Sequence, residues 1–347
     1  MTAVIADWSA VSPFGIGRTA FAEGLRAGTD PVRELAADWD SPDERAGVLA
    51  EFDARAVLGK KGTRSMDRVT ALTVTAMREL TERPLDAERT AIVLGTTTGS
   101  AQSMMEFTGS SLTGAEPFHV DPALMPNVVM NCAAGRCGIW YGIKGPNTTV
   151  AGGRAAGLQG LQYAVRLLAA GRADTVLCGA AEEYSRARAW LERHARSLEQ
   201  SPEYGAPLGE GAALFTVCRE AENALAEILS VRSRVVLDGD PRTALLACLR
   251  GALEEAGTRP EEIAAVVSSG ATGLTGRAER AALTELFTEQ ARGRVPALAG
   301  FGDLGAGSAA FGLAALLATP GRDIGELAVL TSVDRDGAVG CAVLRTL

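Results

Sequence analysis

The sequence predicts a layered α/β fold built from two similar halves, and three observations carry the prediction. Short β-branched runs alternate with amphipathic or small-residue helical stretches, several runs end at glycine, and each half closes on two adjacent strands. In the first half, residues 2–6, 90–95, 148–151, 175–179 and 212–218 read as strands. Between them, 65–80 and 154–170 carry helical spacing, and Gly171 stops the second helix as a C-terminal glycine does. A second half begins near Leu225, with 241–257 as helix, 263–269 as strand, 307–318 as helix, and 328–333 with 338–344 as a hairpin. The halves are therefore 1–224 and 225–347. Pro- or Ser-rich linkers are absent, so one compact body is expected; the pattern, without a residue-by-residue repeat, suggests duplication.

Composition excludes several classes. With 347 residues, 47% hydrophobic and 22% charged, the chain can bury a large core, which excludes disorder and a disulfide-stapled miniprotein. Lysine and arginine total 34 against 42 acidic residues, a net charge of −8 without a long basic run. Neither nucleic acid nor an anionic membrane surface is then the expected partner. Six scattered cysteines without CxxC spacing read as reduced core thiols of a cytoplasmic protein, with no structural metal. Residues 1–17 lack a signal peptide's basic start, and the longest small-apolar stretch, 306–318, is far short of the roughly 20 residues that span a bilayer.

Acyl transfer needs a nucleophile of lowered pKa, best placed where a strand turns into a helix N-terminus. The turn 150–154, Val-Ala-Gly-Gly-Arg, has that form but presents Arg154. A guanidinium stays protonated and has no lone pair to attack with. Because the helix dipole opposes a cation there, Arg154 is expected to pair with Glu182, Glu183 or an acidic group of a partner subunit. His119 and His194 read as loop or surface residues, and Cys137 as a buried thiol. The glycine-rich stretches 95–100 and 302–312 lack the lysine of a phosphate loop and the acidic residue of a dinucleotide site, so close packing explains them. The arginine-rich stretch 185–196 reads as a solvated helix face, or as a docking face for an acidic carrier domain.

Five segments in order resemble the thiolase-fold β-ketoacyl-acyl carrier protein synthases. Ser65-Met66-Asp67-Arg68 resembles the Met-Asp-Arg helix start, and 121–147 the dimer-interface segment ending in Gly-Pro-Asn. Residues 171–183 resemble the strand-and-Glu element, 208–217 the Gly-Glu-Gly-Ala hairpin, and 304–318 the late glycine-rich helix. The resemblance implies a thiolase-like layered αβαβα fold. It places the family's nucleophilic cysteine at Arg154, its first histidine at Ser268, and its second at Gly302 or Asp303, with the motif lysine also absent. The gating Gly-Phe-Gly-Gly loop has become Asp334-Arg335-Asp336-Gly337.

Joint loss of these groups resembles the chain length factor, the non-condensing subunit of a type II polyketide ketosynthase. The resemblance implies an active ketosynthase subunit as heterodimer partner, an acyl carrier protein as further partner, and no cofactor or metal. It also implies tunnel or interface roles for Ser103, Met104, Phe107, Leu124 and Met125. Typical members carry glutamine at the nucleophile position and run longer, so Arg154 and shortened segments at 183–209 and 232–241 mark a divergent member. The alternatives are a decarboxylase or acyltransferase using a non-cysteine residue, against which the missing histidines count, and a homodimeric acyl-chain-binding module.

Overall fold

β-Branched runs and glycine-terminated helices set the element order in the computed structural model, which describes residues 3–198, 206–237, 239–296 and 298–347. The longer elements of the first half are β1 (Ala3–Ser12), α1 (Arg18–Ala27), α2 (Arg68–Leu80), β2 (Thr90–Thr96), α3 (Ala101–Thr113), α4 (Cys132–Tyr141), β3 (Asn147–Ala151), α5 (Ala156–Ala169), β4 (Thr175–Glu182), α6 (Arg186–Leu198) and β5 (Gly211–Cys218). Those of the second are β6 (Ala226–Val235), α7 (Pro241–Ala256), β7 (Ile263–Val267), α8 (Gly273–Leu286), α9 (Gly307–Ala318), β8 (Leu327–Val333) and β9 (Ala338–Thr346).

The strands follow the order β7-β8-β9-β6-β1-β5-β4-β2-β3. β1 and β6 join antiparallel over Ala3–Ile228, Val4–Glu227 and Ile5–Ala226. Outward from that seam, β1-β5-β4-β2 and β6-β9-β8-β7 repeat one sequence of pairings: antiparallel, antiparallel, parallel. Among the described residues only the first half extends further, through the parallel edge strand β3. The corresponding stretch before α9 holds a 3-10 turn, Leu298–Phe301.

Alternation along the strands divides the core into three sheets of side chains. Val93 of β2 and Leu330 of β8 enter a central core with Leu158 of α5 and Phe311 of α9. Their neighbours Leu94 and Val329 face outward, Leu94 toward Leu72 and Met77 of α2 and Val329 toward Leu249 of α7 and Leu283 of α8. Helix α9 is almost wholly buried, as a helix apolar on every side must be. The result is the layered αβαβα arrangement expected from the sequence.

Local chemistry moves several boundaries. β1 runs past its expected end at residue 6 because a bulge between Ile5 and Asp7 re-registers the strand against β5. α2 starts at Arg68 rather than residue 65, since the Asp67 side chain accepts the Thr70 amide at 2.7 Å as an N-cap. α5 starts at Ala156 after a 3-10 turn over Gly153–Ala155, and Gly171 adopts φ 64° after it as expected.

One ion pair ties two of the recognised segments, 65–68 and 208–217, together. Arg68 meets Glu210 through two hydrogen bonds, Nε to Oε2 and Nη2 to Oε1, each 2.6 Å. Glu210 is fully buried and also accepts the amides of Leu49 at 2.9 Å and Tyr184 at 3.1 Å. The Arg68 guanidinium stacks over Trp39, 4.9 Å from its centroid. Glu210→Ala strands a cation and two amides, so it should cost about 3–5 kcal/mol in urea unfolding. Glu210→Gln, which keeps an accepting oxygen, should cost clearly less; equal small losses would show that the pair does not brace the fold.

Candidate functional site

β3 ends at Ala151 and the chain turns through Gly152 and Gly153 into α5. Gly153 lies at φ 53°, and a Cβ there would fall 2.2 Å from an Asp334 carboxylate oxygen, so only glycine fits. The turn carries Arg154, whose side chain is 13% exposed. Its Nη2 meets Asp303 Oδ2 at 2.6 Å and its Nη1 donates to Ser308 Oγ at 3.0 Å. Its backbone N–H donates to Asp334 Oδ2 at 2.6 Å, and its carbonyl accepts from Ser332 Oγ at 2.8 Å. Asp303 is fixed in turn by donation from the Gly305 amide to Oδ1 at 2.9 Å. Burial pushes the Asp303 carboxyl up, but the guanidiniums of Arg154 and Arg188 and the Gly305 amide outweigh it, leaving the pKa below the ordinary carboxylate range. The remaining cavity, bounded by Arg154, Arg188, Asp303, Asp334 and Arg335, is about 80 Å3.

Arg154 therefore pairs with Asp303, not with the expected Glu182 or Glu183. Those two carboxylates lie at the end of β4 but are already held. Glu182 accepts from the Thr97 amide at 2.7 Å and from Thr96 Oγ1 at 3.2 Å, facing Arg188 at 3.7 Å. Glu183 accepts from the Gln102 amide and from Ser100 Oγ, both at 3.1 Å. Of Gly302 and Asp303, only Asp303 sends a side chain into the site; Gly302 makes a left-handed turn against the Pro207 carbonyl. Ser268 is half-buried and stands apart from these contacts, while the adjoining Ser269 donates its amide and hydroxyl to the buried Glu279 at 2.9 and 2.8 Å.

The arginines of 185–196 are neither simply solvated nor uniformly free to dock. Arg188 is buried and donates to the carbonyls of Glu183, Gly209 and Asp303. Arg186 meets Asp40 at 2.8 Å, and Arg193 and Arg196 donate to the carbonyls of Pro42 and Ala206. Both histidines are exposed and Cys137 is buried, its thiol pushed up by burial. Close packing accounts for the glycine stretches where a Cβ at Gly95 would meet the Ala156 backbone at 2.9 Å, and one at Gly305 would meet Glu182 at 2.7 Å. Nothing in the sequence marks Ser308 for a role, and the one signal for Asp334 is that Asp-Arg-Asp-Gly stands where the resemblance places the gating loop.

A second, larger cavity of about 660 Å3 opens between the start of α3, the end of β4 and the segment around Leu124. Ser103 and Leu124 line it with Trp39, Ser100 and Glu183. Met104 and Met125 instead lie 37% and 52% exposed, and Phe107 is half-buried outside it. Burial raises the Glu183 carboxyl from 4.5 to about 7, so the folded state holds this proton more tightly than the unfolded one. That contribution is complete below about pH 4.5 and lost as pH rises through about 7. From about pH 5 to about pH 8 the chain should lose roughly 3 kcal/mol through this group. Glu183→Gln should flatten that part of the profile in thermal melts, and an unchanged slope would assign the loss elsewhere.

Comparison with known proteins identifies the family. The family described as Beta-ketoacyl synthase, N-terminal domain, matches residues 3–223. The 3-oxoacyl-[acyl-carrier-protein] synthase 2 of Synechocystis sp. is 26% identical over 302 residues, covering 77% of this chain and 72% of that protein. Its counterpart in Coxiella burnetii is 25% identical over 294 residues, covering 75% and 70%. Among solved structures, a chain of the ishigamide ketosynthase/chain length factor is 44% identical over the whole of both chains, with a TM-score of 0.95. The structure of AntDE:AntF, a type II PKS acyl-carrier protein in complex with its ketosynthase bound to the hexaketide, shares the fold at 18% identity and TM-score 0.77, covering 100% of this chain and 99% of that one. With a thiolase-like fold and a family match across more than half its length, this chain belongs to the β-ketoacyl synthase family.

Proposed function

We propose that this chain is the chain length factor of a type II polyketide synthase: it pairs with an active ketosynthase and shapes the tunnel into which the polyketide grows. The observation that carries this reading is Arg154. The turn that suits a nucleophile presents a permanent cation already bound to Asp303 and Ser308, in a cavity of about 80 Å3. Ligand pockets commonly enclose about 300–1,000 Å3. Thioester formation and condensation would then fall to the partner, with an acyl carrier protein delivering the substrate. The whole-length likeness to a chain of a ketosynthase/chain length factor complex supports the same role.

The surface supports pairing. β3 is paired on one side only, and the 121–147 segment exposes Met125, Val129, Met130 and Ile139, the last at 80%. Met104 and Met105 of α3 add to these apolar groups. An apolar surface of this kind marks an interaction site. Covered by a partner, it would enclose Met104, Phe107 and Met125 and extend the wall begun by Ser103 and Leu124. Six free cysteines suit a reducing compartment, so we place the complex in the cytoplasm; no helix among the described residues is long and apolar enough to cross a membrane.

Two measurements test this role. Intact mass after incubation with malonyl-carrier protein should show no acyl adduct on the lone chain, whereas co-expression with its ketosynthase should give a one-to-one active complex. Turnover by the lone chain, or a stoichiometric adduct on it, would exclude the role. In the complex, Phe107→Ala should lengthen the product, while Arg154→Ala, which strands Asp303, should lower the stability of this chain with little change in length. The reverse outcome would place length control at Arg154.

A further inference from the structure

The first amides of a helix have no partner within it, and the helix dipole adds to their pull on an anion. For acyl transfer at such a turn, donors of this kind stabilise the oxygen that becomes negative in the tetrahedral intermediate. In this chain the Arg154 N–H is already taken, at 2.6 Å, by Asp334 Oδ2. We propose that Asp334 is a built-in anion occupying this donor, and that the 334–337 turn is a lid held closed over the chain's own pocket.

Independent contacts hold Asp334 there. Asp334 is buried, its second oxygen accepts the Asp336 amide at 2.7 Å, and its own amide donates to the Ala338 carbonyl at 2.8 Å. The absence of a side chain at Gly153 leaves room for the carboxylate. Ser332, two residues earlier, donates to the Arg154 carbonyl at 2.8 Å. At the rim, Arg335 reaches across to α6 and meets both carboxylate oxygens of Glu192, each at 3.0 Å. The turn is thus pinned inside by a carboxylate on a helix N-terminus and outside by a bidentate ion pair.

The lid deepens the proposed role and rests on it only for the identity of the excluded molecule, an acyl-pantetheine thioester. A carrier-borne substrate could then enter the assembled pair only through the partner's mouth. Asp334 would exclude it twice, by occupying the donor an oxyanion needs and by holding the turn across the opening.

A reporter thiol tests the closure in the complex with the co-expressed ketosynthase. Arg154→Cys places a thiol at the turn. Iodoacetamide labels it when the thiolate displaces iodide, forming a carbon–sulfur bond, with the thiol proton passing to buffer. Peptide mapping separates this site from all other cysteines. Labelling should be slow in Arg154→Cys alone and about tenfold faster or more when Asp334→Gly and Arg335→Ala are added. Equal rates in complexes that assemble normally would overturn the lid and leave the proposed function standing. Should the triple variant fail to fold, Glu192→Gln on the Arg154→Cys background opens the rim alone and must still raise the rate, and no rise overturns the lid. Failure of the two chains to associate would instead overturn the proposed function, with the lid read from the same labelling on the single chain.

Discussion

A largely buried guanidinium set at a helix N-terminus must be neutralised, and this requirement organises the joint between the two parts of the fold. Arg154 belongs to the first set of strands, while Asp303, Ser308, Ser332 and Asp334 all come from the second. An uncompensated charge in such a place would cost several kcal/mol, more than most single contacts return. Two aspartates face two different needs: Asp303 balances the guanidinium, and Asp334 meets the backbone amide. Because each bond crosses from one half to the other, the pocket is also a fastener.

The same economy governs the other buried charges. Glu210 satisfies Arg68 and two backbone amides, and Arg188 donates to three backbone carbonyls from three separate segments. Glu279 holds the turn after β7 to β8 by accepting from Ser269 and from Thr331 Oγ1 at 2.7 Å. In each case a charged side chain holds irregular backbone where strand ends converge, and a well-satisfied partner set offsets the cost of burial. Burial nevertheless leaves a mark, since the carboxyls of Glu182, Glu183 and Glu279 are all raised by desolvation.

Sequence patterning revealed the fold because the strands are β-branched runs and the buried α9 has no polar face. The site was only half legible. Two glycines ahead of a helix identify the turn, and charge logic demands a counterion for Arg154. The carboxylate that answers that demand is Asp303, which lies in the other half of the chain, and no local pattern encodes a contact at that separation. Glu182 and Glu183 were close in sequence, but backbone amides at Thr97 and Gln102 had already claimed them. Helical spacing likewise suggested a solvated arginine face, because a side chain that binds carbonyl oxygens needs no complementary residue type in the sequence.

The division of space follows from the same chemistry. Filling the turn with a large paired cation leaves only about 80 Å3 there, whereas the cavity by Ser103 and Leu124 remains near 660 Å3. Burying charge at the first place stabilises the joint between halves without requiring a reactive group there. The second place is lined mostly by polar and charged groups, with Trp39, Met66 and Leu124 among them, and the exposed Met104 and Met125 lie outside it. The buried charge thus fixes the joint between the halves, and the larger cavity keeps the open space that the filled turn has lost.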